Sequence, residues 1–173
     1  MFRKAVLQDI DTIANIYDKI HELESSGKVS IGWIKGVYPV KDTAIQALKR
    51  NDLFVCELEE KVVATAIINH VQVPDYRTGK WEIKADDKQI MVLHTLVVSP
   101  DYAKRGIGRK FVEYYEDYAR ENGCISLRMD TNEKNVNARK LYKKLGFKEI
   151  GIVKCDFNGI PDINLVLLEK PLN

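Results

Sequence analysis

Residues 97–123, "VVSPDYAKRGIGRKFVEYYEDYARENG", run from an apolar strand end through two glycines, Gly106 and Gly108, into a long amphipathic stretch. No other segment restricts the fold as much. A strand that turns at glycines into a helix start leaves unpaired N–H groups at the positive end of the helix dipole, where anions bind. The glycines also lack the Cβ atoms that would keep a bulky group off the backbone, and Lys104, Arg105, Arg109 and Lys110 crowd positive charge around them. That charge is local. With 27 Lys and Arg against 25 Asp and Glu, the 173-residue chain carries a net +2, which gives no general attraction to nucleic acid or membrane.

Two familiar phosphate loops are excluded. A Walker loop needs Lys followed by Ser or Thr after its second glycine, and the dinucleotide fingerprint needs a third glycine where the chain has Phe111. A pyrophosphate still fits the turn. The plainer alternative is a tight strand-to-helix turn with a solvated basic rim.

The flanking sequence supplies a regular set of elements. "FRKAV" reads as a strand, and residues 8–24 place Ile10, Ile13, Ile16, Tyr17, Ile20 and Leu23 on one helical face behind Asp9 or Asp11 as N-cap. Residues 25–40 form an aromatic loop before a short helix, "KDTAIQALKRN", and a hairpin folds about "LEEK". After the polar stretch 74–89, "IMVLHTLVV" predicts a strand buried on both sides. The helix that follows the glycine turn ends at Gly123, "CISLRMDTN" is a strand, "NVNARKLYKKLGF" a helix stopped by Gly146, and a last hairpin turns at "NGIP". The order β-α-α-β-β-β-α-β-α-β-β predicts an α/β fold whose mixed, mostly antiparallel sheet carries helices on both faces.

Without linker or repeat, residues 1–173 read as one domain, burying roughly 70% of the surface of the unfolded chain. Cys56, Cys124 and Cys155 show neither metal-ligand nor disulfide spacing. A charged start and the absence of any apolar run near ~18 residues point to a soluble, cytoplasmic protein.

Asn135, Ala138 and Tyr142 fall at i, i+3 and i+7 of a helix and share one face. Singly, Asn135 reads as a helix cap and Tyr142 as a core aromatic. Glycine turn, helix, strand and then N-x-x-A-x-x-L-Y-x-K-L-G-F within residues 106–147 together resemble the GNAT family of N-acetyltransferases, whose first motif is [RQ]-x-x-G-x-[GA]. The resemblance covers residues 90–147 most strongly and, through element order, the whole chain.

It implies acetyl-CoA as co-substrate and no metal, with the acetyl-CoA side mainly at 90–147 and the acceptor side mainly at 1–89. The pyrophosphate would lie on Lys104, Arg105, Gly106, Ile107, Gly108 and Arg109. Backbone groups at Leu96 and Val98 would meet the pantetheine and thioester, Asn135 and Ala138 would hold the cofactor, and Tyr142 would protonate the leaving sulfur. The family's Arg or Gln position is Ala103 here, which leaves Lys104 and Arg105 as the nearby donors.

Acetyl transfer also needs a neutral amine, and an amine of pKa ~10 is only about 0.1% neutral at pH 7. His94, with an unperturbed pKa of ~6.5, is the candidate base; strand alternation puts it on the face of Leu96 with Thr95 opposite. A hydrogen-bonded structural histidine is the alternative, and His21 and His70 read as structural. The resemblance implies acceptor contacts from Trp33, Tyr38, Asp75, Tyr76 and Trp81. Aromatics beside a carboxylate suit a cation, unless they serve only to pack on one another. A small amine or amino-acid-like acceptor is expected, because no acidic run is present to receive a basic peptide. A homodimer is compatible with the sequence. The rival reading is a non-catalytic acyl-CoA-binding or regulatory module; nucleic-acid binding fails for want of a broad basic surface interleaved with aromatics.

Overall fold

A computed structural model describes residues 1–172. The elements follow the expected order: β1 (Phe2–Lys4), α1 (Ile10–Ser25), α2 (Lys41–Lys49), β2 (Leu53–Leu58), β3 (Lys61–Asn69), β4 (Ile90–Val98), α3 (Ile107–Glu121), β5 (Ser126–Asn132), α4 (Val136–Lys144), β6 (Lys148–Phe157) and β7 (Ile160–Pro171). The strands form one seven-stranded sheet in the order β1-β2-β3-β4-β5-β7-β6. All neighbours are antiparallel except β4 and β5, which α3 connects as a parallel pair.

Apolar spacing decides which face each helix covers. Phe111, Val112 and Tyr115 of α3 pack with Tyr142 of α4 on Met91, Leu93, Leu127 and Met129 of the sheet. On the opposite face, Ile13, Ile16 and Tyr17 of α1 and Ala44 and Ala47 of α2 pack on Val55, Ile67 and Val97. Burying apolar side chains of this size contributes roughly 1.5–3 kcal/mol each, so both helical layers are fastened to the sheet by area rather than by polar contacts.

Chain reversals use the residues their geometry demands. Gly123 and Gly146 adopt positive φ (72° and 89°) just past α3 and α4, and the N–H of Cys124 reaches back to Ala119 O at 3.0 Å. Asn158 and Gly159, both with positive φ, turn β6 into β7. Asp9 stands at the N-cap position of α1, as expected, but its side chain makes no capping bond to that helix. Its carboxylate instead accepts the N–H of Val6 at 2.8 Å and two hydrogen bonds from Arg3, which closes the short 3-10 turn ahead of α1. Among the described residues, no helix is long and apolar enough to cross a membrane.

Candidate active site

β4 and β5 pair over four rungs, from Ile90 with Ser126 to Leu93 with Met129. Past that rung they part. β4 continues beside β3 as far as Val98 opposite Ala64, while β5 stays with β7, where Asp130 faces Leu167 and Asn132 faces Leu165. A wedge opens between two walls of backbone that no longer bond to each other. Just before the split, the hydroxyl of buried Tyr115 donates to Met91 O at 2.6 Å and lies 3.1 Å from Arg128 O, bridging the two strands.

One extra residue in β4 shapes the wedge. Ile67 faces His94, but Thr65, two residues earlier, faces Val97, three residues later. Thr95 takes up this bulge at φ 51°, a conformation that a β-branched residue rarely adopts, and its Oγ1 hydrogen-bonds the hydroxyl of Tyr38. The bulge inverts the alternation. Met91 and Leu93 pack with α3 before it, and Leu96 and Val98 do so after it, whereas Val92 and Val97 lie on the other face. His94 therefore projects away from α3 and Leu96 toward it, which corrects the expectation that the two share a face.

The wedge opens into a cavity of about 680 Å³. Leu96, Val98, Gly108, Asn135, Ala138, Leu141 and Tyr142 line one side of it, and Trp33, Tyr38, Arg50, Asn69, His94, Asp130 and Phe157 line the other. The second side is roofed. Glu24 accepts the N–H groups of Ile31 and Gly32 at 2.7 and 2.9 Å, which fixes the α1–α2 connection. A Cβ on Gly32 would come within 2.3 Å of the Asn132 side chain, and one on Gly159 within 3.2 Å of Val37. The connection thus lies directly against both the end of β5 and the tip of the β6–β7 hairpin.

At the glycine turn, Lys104 and Gly106 both have positive φ (61° and 74°). Among the described residues, the N–H groups of residues 104–109 have no backbone partner, and the first paired one is that of Lys110, which donates to Gly106 O at 3.0 Å. A Cβ on Gly108 would meet Leu141 and Val98 only at 3.7 Å, so neighbouring side chains do not require glycine there. Lys104 and Arg105 are exposed, Arg105 stacking over Tyr102, whereas Arg109 is paired with Glu113 at 2.8 Å. Ile107 buries its side chain in the core and can offer only its N–H. A row of free N–H groups with two unpaired cations fits a pyrophosphate.

The polar groups of the second side are tightly organised. Tyr76 is buried and donates its hydroxyl to Asp130 Oδ2 at 2.7 Å, and burial pushes the Asp130 carboxyl up to about 6. Trp81 packs on Tyr76, its Nε1 donating to Tyr76 O at 2.6 Å, and the Arg128 guanidinium lies 4.1 Å from the Trp81 ring. Buried Glu169 anchors the same segment by accepting the N–H groups of Glu82 and Ile83. Tyr76 and Trp81 therefore form a scaffold behind Asp130. Neither lines the cavity, so the expected acceptor contact does not hold for them: their polar atoms are turned inward to satisfy buried partners.

His94 belongs to a second chain of contacts. Asn69 Nδ2 donates to Asp52 and Asn69 Oδ1 accepts the N–H of Val71, so the same oxygen accepts His94 Nε2–H at 3.1 Å. Burial lowers the His94 imidazole to about 4. Tyr142, 8% exposed, is packed edge-on against Phe147, and burial followed by the nearby Asp130 charge raises its phenol far above the ordinary value. It is a protonated donor at any physiological pH. Among the described residues, no cluster of three or more His, Cys, Asp or Glu is placed to hold a metal.

Residues 15–147 match the acetyltransferase (GNAT) family. The chain belongs to that family. An uncharacterized N-acetyltransferase of Methanocaldococcus jannaschii is 25% identical over 158 residues, covering 88% of this chain and 62% of the relative, so the chain spans about three fifths of that relative's length. A GNAT acetyltransferase structure from Streptococcus agalactiae superposes with a TM-score of 0.81 at 21% identity, covering 100% of this chain and 95% of that one. A candidate acetyltransferase of Salmonella typhimurium, solved with its cofactor acetyl-CoA, superposes with a TM-score of 0.71 at 18% identity, covering 100% of this chain and 94% of that one. The GNAT fold therefore extends over all the described elements.

Of the residues singled out from the sequence of this GNAT chain, Trp33, Tyr38, His94, Leu96, Val98, Gly108, Asn135, Ala138 and Tyr142 meet at one cavity. Asn135 caps α4 by accepting the Ala138 N–H at 3.2 Å, and it also lines the cavity. Lys104, Arg105, Gly106 and Arg109 lie beyond its lining, at the turn. Sequence reasoning missed Asp130, Arg50 and Asn69. The one signal for Asp130 was a carboxylate closing an apolar strand immediately ahead of the Asn135 helix.

Proposed function

We propose that the chain moves an acetyl group from acetyl-CoA to the primary amine of a small acceptor by direct attack on the thioester. The observation that carries this reading is the wedge itself, with a row of free N–H groups at one end and a raised carboxyl and a protonated phenol on its two sides. Acetyl-CoA, when bound, supplies the activated acetyl group. Residues 104–109 hold its pyrophosphate, with Lys104 and Arg105 serving where the family's Arg or Gln is replaced by Ala103. Backbone groups freed at the Thr95 bulge, next to Leu96 and Val98, stabilise the charge that develops on the thioester oxygen.

Asp130 is ionised at pH 7 and receives the acceptor's ammonium. One proton passes from the ammonium to the carboxylate before attack and a second leaves nitrogen as the C–N bond forms; as the C–S bond breaks Tyr142 gives its proton to sulfur, and one of the two amine protons then restores Tyr142 while the other goes to solvent. Net, one proton is released for each amide made. His94, neutral and hydrogen-bonded to Asn69, positions this wall instead of serving as the base first assigned to it.

The roof supports a small acceptor, because a peptide tail would have to part the α1–α2 connection from the hairpin tip. The test is release of free thiol from acetyl-CoA in the presence of an amine panel. Amine-dependent release that Asp130→Asn suppresses is expected. Tight binding of acetyl-CoA with no release for any amine would favour the non-catalytic module instead.

A further inference from the structure

We infer that the acceptor is a free apolar amino acid, its ammonium taken by Asp130 and its carboxylate by Arg50. This rests on the acetyl-transfer reading and names its substrate class. A single line of polar groups crosses the face of the sheet away from α3, from Asp130 on β5 through His94 on β4 and Asn69 on β3 to Asp52 at the start of β2. Arg50 closes the line. Its Nε and Nη2 donate to the two oxygens of buried Asp52 at 2.9 and 3.2 Å, which leaves Nη1 without a partner among the described residues. Both Arg50 and Asp130 line the cavity.

The two ends therefore offer opposite chemistry. Asp130 gives a carboxylate whose second oxygen has no protein partner among the described residues, and Arg50 gives directed N–H groups suited to a carboxylate. Because Asp52 already neutralises Arg50, the guanidinium contributes direction more than net charge. Both groups face the one cavity, Asp130 from β5 and Arg50 from the end of α2 with its guanidinium held on Asp52 beside Asn69, so a ligand that carries both an ammonium and a carboxylate answers both. The cavity around this polar line is otherwise largely apolar, with Trp33, Val71 and Val73 on the Arg50 side of β5 and Phe157, Ile163 and Leu165 beyond it. A simple monoamine leaves the Arg50 edge unmatched, and a peptide N-terminus has no carboxylate there and no exit through the roof.

The test measures thiol release from acetyl-CoA with leucine, methionine and phenylalanine, each beside its primary amide, its decarboxylated amine and a tetrapeptide bearing it at the N-terminus. At least one free amino acid is expected to show a kcat/KM about tenfold or more above its amide and amine, with the difference mainly in KM. In Arg50→Gln that ratio should collapse toward one, and Arg50→Lys should restore part of it. Equal use of acid and amide, a preference for the tetrapeptide, or a ratio unchanged in Arg50→Gln overturns the inference while leaving acetyl transfer standing. No release with any of them, while other amines of the broader panel do release thiol, also overturns it, whereas binding of acetyl-CoA with no release for any amine removes the transferase reading. Failure to bind acetyl-CoA removes the cofactor reading as well.

Discussion

His94 and Asp130 stand on adjacent strands one residue past Leu93 and Met129, the last rung that β4 and β5 share, and both project away from α3. Burial acts on them with opposite sign, because it disfavours whichever form is charged. The imidazole falls to about 4 and the carboxyl rises to about 6. At pH 7 the first is neutral and the second ionised. In the proposed reaction the group matched to proton transfer near neutrality is thus the carboxylate at the wedge, with the histidine beside it assigned to the wall.

The first prediction is a pH profile. Because a base must be deprotonated, kcat/KM should rise as pH increases through about 6, the Asp130 value. Asp130→Asn should remove this limb and lower kcat by about 10²–10⁴-fold, whereas His94→Gln should keep it. Repeating the profile with acceptors of different pKa separates an enzyme limb from an acceptor limb. Loss of the limb in His94→Gln, with Asp130→Asn unaffected, would reverse the assignment.

A stability change of opposite sense should accompany that loss. The Asp130 carboxyl titrates at about 6 in the fold against an ordinary 3.8, so between those values the native state binds more protons and stability falls as pH rises. At pH 8 the ionised, half-buried carboxylate costs up to about 3 kcal/mol. Asp130→Asn should therefore be more stable than the parent at pH 8, with the gain fading below pH 4. His94, lowered instead, loses stability as pH falls from 6.5 toward 4, so the comparison must be variant against parent at each pH. Urea melts at pH 4 and 8 measure this, and an identical difference at both would show that Asp130 is not ionised against a penalty.

How much of this was legible in the chain depends on the range of the interaction. Element order, the glycine turn and the Asn135–Tyr142 helix face follow from local spacing and turn chemistry, and all stand as expected. The bulge at Thr95 could not be read, because an extra residue in β4 is defined only against its partner β3 and the position is not glycine. That single insertion reversed the alternation that placed His94 with Leu96. Tyr76 and Trp81 went astray for a similar reason. Their direction is set by Asp130, Arg128 and Glu169, contributed by strands far along the chain.

Tyr142 should divide chemistry from binding. Tyr142→Phe retains the ring that packs on Phe147 and removes only the hydroxyl, so fold and acetyl-CoA affinity should change little while kcat falls by about 10²–10⁴-fold. Thiol leaving groups of lower pKa need less protonation, and an acetyl thioester with such a leaving group should recover much of the lost rate. Equal loss for both thioesters would assign the tyrosine to packing.

The two glycines of the turn should fail differently. Gly106 has φ 74° and nothing within 4 Å of a Cβ, so Gly106→Ala should cost about 1–2 kcal/mol through backbone strain alone. Gly108 is unstrained, and a side chain there meets only Leu141 and Val98 at ordinary distance. Gly108→Val should accordingly fold with near-parental stability yet weaken acetyl-CoA binding about tenfold or more, while Lys110→Ala, losing one screened surface charge, should bind almost normally. Calorimetric titration with acetyl-CoA beside thermal melts checks both, and full affinity in Gly108→Val would remove the cofactor from this turn.

Thr95 gives the most counterintuitive case. A non-glycine residue at φ 51° carries about 1–2 kcal/mol of strain, which glycine relieves, and the Thr95 hydroxyl contributes a hydrogen bond to Tyr38 worth about 1 kcal/mol. In Thr95→Gly the relief is offset by the lost bond and by the greater chain entropy of glycine, so stability should stay near the parent. Thr95→Val keeps the strain, loses the bond and leaves the half-buried Tyr38 hydroxyl without this partner, for a loss of about 1–3 kcal/mol. Glycine should thus outrank valine, although valine is the closer match in shape. Tyr38→Phe removes the bond without stranding a buried partner as large, and its loss should fall between the two. If valine instead matches the parent while glycine unfolds, the bulge is held by side-chain packing rather than by this hydrogen bond, and the wall of the wedge is less rigid than the geometry at His94 and Asp130 requires.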